Sequence, residues 1–159
     1  MKTVIVYEST HHGNTLKLVN AIAEHYSVDL INVTETKSAK LTDYDLVGFA
    51  SGIEFGGVYR NIASFAANWM PREHKVFFIY TCGANRDDYC TELEKTAHSK
   101  SCTVVGKYGC LGFDTYGPFK LFGGKNKNHP TEGEIAGAVE FYAEISGEAK
   151  PAPAPEKAE

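Results

Sequence analysis

Seven residues near the amino terminus hold the densest chemistry in the chain: Ser9-Thr10-His11-His12-Gly13-Asn14-Thr15. Five side-chain donors meet there: Ser9, Thr10, His11 or His12, Asn14 and Thr15. An apolar run, Val4-Ile5-Val6-Tyr7, precedes them, and Leu16 to Ala23 follow with apolar residues at helical spacing. The stretch therefore reads as a tight strand-to-helix loop that turns at Gly13. Such a loop aims backbone N–H groups and hydroxyls at one anion, beside the positive end of a helix dipole. It lacks Gly-Lys-Ser/Thr, so no lysine stands by to reach a γ-phosphate. It also lacks G-x-G-x-x-G, which argues against a pyrophosphate loop. What fits is a terminal phosphate monoester, held by neutral donors unless a histidine is protonated. A plainer reading stands beside this one, in which Asn14 or Thr15 caps the helix and Gly13 merely turns the chain.

These residues resemble the FMN phosphate loop of flavodoxins, usually Ser/Thr-x-Thr-Gly-x-Thr. Here His11-His12 stand where that pattern has Thr-Gly or a similar pair, and Gly13 comes one residue later. The resemblance runs from residue 2 to about 147 and rests on several features in order. It implies a flavodoxin-like sheet of strand order 2-1-3-4-5 with FMN at its edge.

The elements that must position such a site follow from periodicity. Apolar runs predict strands at 2–8, 28–33, 45–50, 75–81 and within 102–113. Helical spacing predicts helices at 14–26, 60–70, 87–99 and 131–145, the last opened by Thr131 and Glu134 at capping-box spacing. The stretch 34–44 is polar and predicts little beyond a helical turn. Strands alternate with helices from end to end, which predicts an α/β fold: a doubly wound, five-stranded parallel sheet with helices on both faces. A ligand then lies outside the carboxyl ends of the strands, at the switch point between the first and the third.

Two further loops reach that edge. Gly52-Ile53-Glu54-Phe55-Gly56-Gly57-Val58-Tyr59 places three glycines in eight residues, so its backbone can approach a flat ligand closely. In the flavodoxin-like reading it lies along the flavin ring. Phe55 and Tyr59 are then the stacking candidates, Glu54 an acceptor for the ring N3–H, and Gly56-Gly57 the peptide that turns as the flavin changes redox state. The resemblance makes Thr81, Cys82, Gly83 and Ala84 the opposite wall, where many flavodoxins carry an aromatic. This loop has only small residues in the wall until Tyr89, which opens one flavin face to a substrate or partner. Asp87 and Asp88 read as acids at a helix start that would lower the flavin's potential if they lay near it. Cys82 lacks a Cys-x₅-Arg pattern and reads as a small buried thiol. The segment 113–130, with Lys120, Lys125 and Lys127, is too long for an ordinary connection and is placed to cover the site or dock a partner. His129-Pro130 sets the entry to the last helix.

Composition bounds the partners. At 159 residues, 43% hydrophobic and 23% charged, the chain is of ordinary globular character. One domain is expected over 1–148, followed by a solvated Pro/Ala tail over 149–159. A net charge of −4 with no basic run argues against nucleic acid and favours a basic protein surface. Cys82, Cys90, Cys102 and Cys110 show neither C-x-x-C nor metal-ligand spacing, so reduced thiols, no metal and a cytoplasmic location are expected. No apolar run is long enough to span a bilayer. The leading expectation is an FMN-binding carrier passing electrons from a reductase to an acceptor enzyme. Behind it stands an FMN-dependent oxidoreductase acting on a quinone, porphyrinogen or other flat substrate. A phosphoacceptor receiver ranks last: Glu8 stands alone as an acid after strand one, and Gly112-Phe113 occupy the place of its lysine.

Overall fold

The computed structural model describes residues 1–115, 121 and 123–152. Strand β1, Thr3–Glu8, is apolar almost throughout and buried on both faces, as a central strand of a parallel sheet must be. It pairs in parallel with β2 (Val28–Asn32) on one side and β3 (Leu46–Glu54) on the other, so that Thr3 faces Val28 and Leu46. Strand β3 then pairs with β5 (Lys75–Cys82), and β5 with β6 (Thr103–Leu111). The long strands run β2-β1-β3-β5-β6, which is the order 2-1-3-4-5 expected for the five of them.

Alternate residues of the strands feed two apolar layers. Ile5, Ala50, Phe77 and Ile79 meet α1 (Asn14–His25) and α4 (Glu132–Ser146) on one face, through Leu18, Ile22, Val139 and Tyr142. Val4, Val6, Phe49 and Phe78 meet α2 (Arg60–Trp69) and α3 (Thr91–Ser99) on the other, through Ile62, Phe65, Ala66 and Leu93. The crossover from β2 to β3 contains no helix. Val33 and Leu41 plug the core there, each no more than 2% exposed.

Two boundaries depart from the sequence reading by more than one residue. The third strand does not stop at residue 50 but runs to Glu54. It then folds back on β4 (Gly57–Val58), with Ile53 opposite Val58 and Glu54 opposite Gly57. Phe55 and Gly56 form the tight turn at φ 52 and 78, the left-handed pair that a two-residue hairpin demands. The third helix begins at Thr91 rather than Asp87. Its approach is held as irregular chain: Lys107 Nζ donates to the Asp87 carbonyl at 2.7 Å, and Thr91 Oγ1 to the Asp88 carbonyl at 2.7 Å. The acids of its first turn are therefore Glu92 and Glu94, not Asp87 and Asp88. The last helix begins at Glu132, one residue after its Thr131 cap, and the expected capping box is present in full.

The base of the segment after β6 is paired with itself. Phe113 N donates to the His129 carbonyl at 3.0 Å, and Asp114 and Lys125 form an antiparallel bridge. Tyr26 Oη donates to the Ala149 carbonyl, which ties the chain down beyond α4. Residues 116–120 and 122, with Lys120, lie outside the described residues, as does most of the Pro/Ala tail, 153–159. Among the described residues no helix is long and apolar enough to cross a membrane.

Candidate functional site

Because β1, β3, β5 and β6 are parallel, their carboxyl ends and the loops that follow share one edge. A cleft of about 340 Å³ opens there, at the lower end of the range for small-molecule sites.

The first loop supplies Ser9, Thr10, His11, Asn14 and Thr15 to the cleft. Gly13, at φ 66, is the N-cap of α1 and offers no side-chain cap. Neither Asn14 nor Thr15 caps the helix. Ser9 does that work from upstream, its Oγ accepting from Leu16 N at 3.0 Å. An accepting hydroxyl keeps its own proton, so Ser9 is left with an O–H to donate. Thr15 Oγ1 lies 2.9 Å from Thr81 Oγ1, both buried; one donates to the other, which leaves one hydroxyl proton uncommitted. The two histidines part company. His11 lines the cleft, its Nε2 3.5 Å from Asp114 Oδ1. His12 is not among the lining residues; its ring packs on Phe113 at 4.3 Å and its Nε2 meets Thr115 Oγ1 at 2.8 Å.

The second loop brings Gly52, Ile53, Glu54, Phe55 and Tyr59 to the cleft, while Gly56 and Gly57 turn away in the hairpin. The Tyr59 hydroxyl shares a hydrogen bond with the Thr10 side chain. It lies so close over Gly52 that a Cβ there would stand 2.3 Å from it. Burial pushes the Tyr59 phenol up, the Thr10 bond draws it back, and the charges of Glu54, Glu8 and Asp114 push it up further. The carboxylates around the cleft are thus Glu8, Glu54 and Asp114. Asp87 and Asp88 line a separate depression with Tyr80, Asn85, Arg86 and Gly109.

The third loop contributes Thr81, Cys82 and Gly83, but not Ala84. Cys82 donates Sγ–H to the Cys110 carbonyl at 3.3 Å, and burial pushes its thiol up to about 11, so it is no nucleophile at neutral pH. All four cysteines are free. Tyr89 is turned into the core, its hydroxyl donating to the Ala84 carbonyl at 2.7 Å and its ring edge-on to Tyr80. It gives the cleft no aromatic wall. Asn126 Nδ2 donates to the Gly83 carbonyl at 3.0 Å, joining the segment after β6 to this loop.

Sequence reasoning named none of Glu8, Arg60, Asn61, Gly112, Phe113 and Asp114 as a site residue, yet all line the cleft; it weighed Glu8 and Gly112-Phe113 only for a receiver, and took Phe113 and Asp114 only as part of a covering segment. The rule that ligands lie beyond the carboxyl ends of parallel strands points to 112–114, directly after β6. A charged residue ending the apolar run of β1 was the signal for Glu8.

A family model of the flavodoxin domain matches residues 4–113. The chain belongs to the flavodoxin domain family. The chain is 39% identical over 147 residues to an uncharacterized protein, MJ0298, of Methanocaldococcus jannaschii, covering 91% of this chain and 98% of that one. The fold is similar to oxidised flavodoxin 1 from Bacillus cereus, with TM-score 0.67, 15% identity, and coverage of 94% of this chain and 99% of the other. It is also similar to part of the rubredoxin oxygen:oxidoreductase of Desulfovibrio gigas, with TM-score 0.70, 15% identity, and coverage of 92% of this chain and 35% of that one. At these identities the two structures speak for the flavodoxin fold alone.

Proposed function

We propose that this flavodoxin-family protein binds FMN in the cleft and carries electrons from a reductase to an acceptor enzyme. The observation that carries the reading is the free hydroxyl proton of Ser9, at the amino end of α1 and on the wall of the cleft. Ser9, Thr10, His11, Asn14 and Thr15 would hold the phosphate, in the field of the helix. Gly52, Ile53, Glu54, Phe55 and Tyr59 would lie along one side of the ring, and Thr81, Cys82 and Gly83 along the other. His12, Gly13, Gly56, Gly57 and Ala84 would shape these loops without lining the cleft. Two buried acceptors without partners among the described residues, Glu8 Oε2 and Asn14 Oδ1, suit the hydroxyls of a sugar alcohol. When bound, the flavin supplies reversible one- and two-electron transfer; the protein supplies binding, orientation and electrostatics.

Titration of the purified, flavin-free protein with FMN tests the reading. Quenching of flavin fluorescence with a stoichiometry near one is expected, and absence of binding at micromolar concentrations would sink it. The inward turn of Tyr89 favours a second reading, an oxidoreductase acting on a flat substrate at the open side of the flavin. Turnover of NAD(P)H with a quinone by the loaded protein alone would favour the enzyme; reduction only through a reductase would favour the carrier.

A further inference from the structure

Glu8 ends β1 at the floor of the cleft and is 6% exposed. Its Oε1 accepts from Asn61 Nδ2 at 3.1 Å, a donor in the first turn of α2 that fixes the plane of the carboxylate. Its Oε2 is buried and has no partner among the described residues. A buried carboxylate oxygen is among the costliest groups to leave unpaired. The other orphan among the described residues, Asn14 Oδ1, is again an acceptor, again on a cleft residue. Among the described residues no buried side-chain nitrogen lacks a partner, and the Thr15–Thr81 pair keeps one hydroxyl proton to spare. A ligand that brings hydrogen-bond donors to this floor would satisfy both acceptors.

FMN has few donors to bring. Its phosphate and ring carbonyls accept, which leaves the ribityl hydroxyls and the ring N3–H. Glu8 immediately precedes Ser9, whose free proton suits the phosphate. The ribityl chain is bonded to the phosphate, whereas N3 lies at the far end of the molecule. We propose that Glu8 is the acceptor for a ribityl hydroxyl and makes the site selective for a flavin that carries the polyol. This rests on the FMN reading above. It also means that the cleft keeps a negative charge near its anion loop, a cost in phosphate affinity that a recognition role for Glu8 would explain.

Three flavins separate the possibilities by fluorescence titration: FMN, riboflavin, which lacks the phosphate, and lumiflavin, which lacks the ribityl chain as well. Glu8→Ala is expected to weaken riboflavin by about ten- to hundredfold, the usual range for a hydrogen bond to a charged group, and FMN by less, because loss of the charge beside the phosphate offsets part of the effect. Lumiflavin affinity is expected to stay within about twofold, which also reports that the cleft still forms. Glu8→Gln, which keeps the shape and one acceptor oxygen, is expected to fall between wild type and Glu8→Ala. Unchanged riboflavin affinity in Glu8→Ala overturns the proposal. So does tighter FMN binding alone, which would make Glu8 merely an opponent of the phosphate. Equal loss of lumiflavin also overturns it, by giving Glu8 a structural role. Wild-type protein that binds none of the three fails the FMN reading itself, and with it this inference, before any variant is made.

Discussion

At the scale of the residue, the proposed anion loop would work through hydroxyls whose other half is already engaged. Ser9 accepts from Leu16 N–H and so presents its own proton in a fixed direction. Ser9→Ala removes both bonds. The lost cap is common to every ligand; the lost phosphate contact is not. FMN affinity is therefore expected to fall by about 1–3 kcal/mol more than riboflavin affinity, read by calorimetric titration of the two. An equal effect on both would move the phosphate away from Ser9. The charges around Tyr59 set a second expectation. Glu8, Glu54 and Asp114 surround the cleft, so electrons added to a bound flavin enter a negative field. Glu54 is exposed, and solvent screens much of its effect. Glu54→Gln is expected to raise the two-electron potential by roughly 10–20 mV, the equivalent of about 0.5–1 kcal/mol. A redox titration in low salt reads this directly, and a lower potential in the variant would remove Glu54 from the flavin's field.

At the scale of the element, local signals and long-range ones fare differently. The start of α4 was legible because its capping box lies within four consecutive residues. Thr131 Oγ1 accepts from Glu134 N at 3.1 Å, and Glu134 Oε2 accepts from Thr131 N at 2.8 Å. Thr131→Ala is expected to cost about 1 kcal/mol, or roughly 2–4 °C in Tm, with FMN affinity unchanged. A thermal melt that does not move would show that Glu134 and His129, whose Nδ1 lies 2.8 Å from Glu134 Oε1, hold this terminus without the threonine. The β3–β4 hairpin was not legible. Its turn places Phe55 at positive φ, a conformation that glycine would announce and phenylalanine conceals. The start of α3 was misread because Asp87 and Asp88 have the composition of a first turn, while their structure is set by Lys107, a residue from β6.

At the scale of the molecule, the parallel sheet and both layers of helices follow from the alternation of apolar runs, the strand order follows only from the resemblance to flavodoxins, and the carboxyl edge follows from that order. Which residues complete that edge does not follow in the same way. Asn14 Nδ2 reaches the Phe113 carbonyl at 2.9 Å across 99 positions of sequence, and nothing near Asn14 signals that contact. The same packing places three thiols out of water. Burial raises Cys82 from an ordinary 9.0 to about 11, and Cys90 and Cys110 to about 12. Each is an acid whose neutral form the fold favours, so the unfolded chain releases these protons at lower pH than the folded one does. Above pH 9 the unfolded state binds fewer protons, and stability must fall as pH rises. The thiol contribution is whole below pH 9 and is lost progressively between about 9 and 12. Each group adds a slope of up to about 1.4 kcal/mol per pH unit. Urea unfolding at pH 8 and pH 10 is therefore expected to show a clear loss at the higher pH. Cys90→Ala isolates one share of it, because alanine is apolar, does not titrate and leaves the neighbouring core in place. The variant is less stable than wild type at pH 8 for want of packing, and the gap narrows by about 1 kcal/mol at pH 10. A gap of constant width would mean that Cys90 ionises as freely in the folded protein as in the unfolded chain.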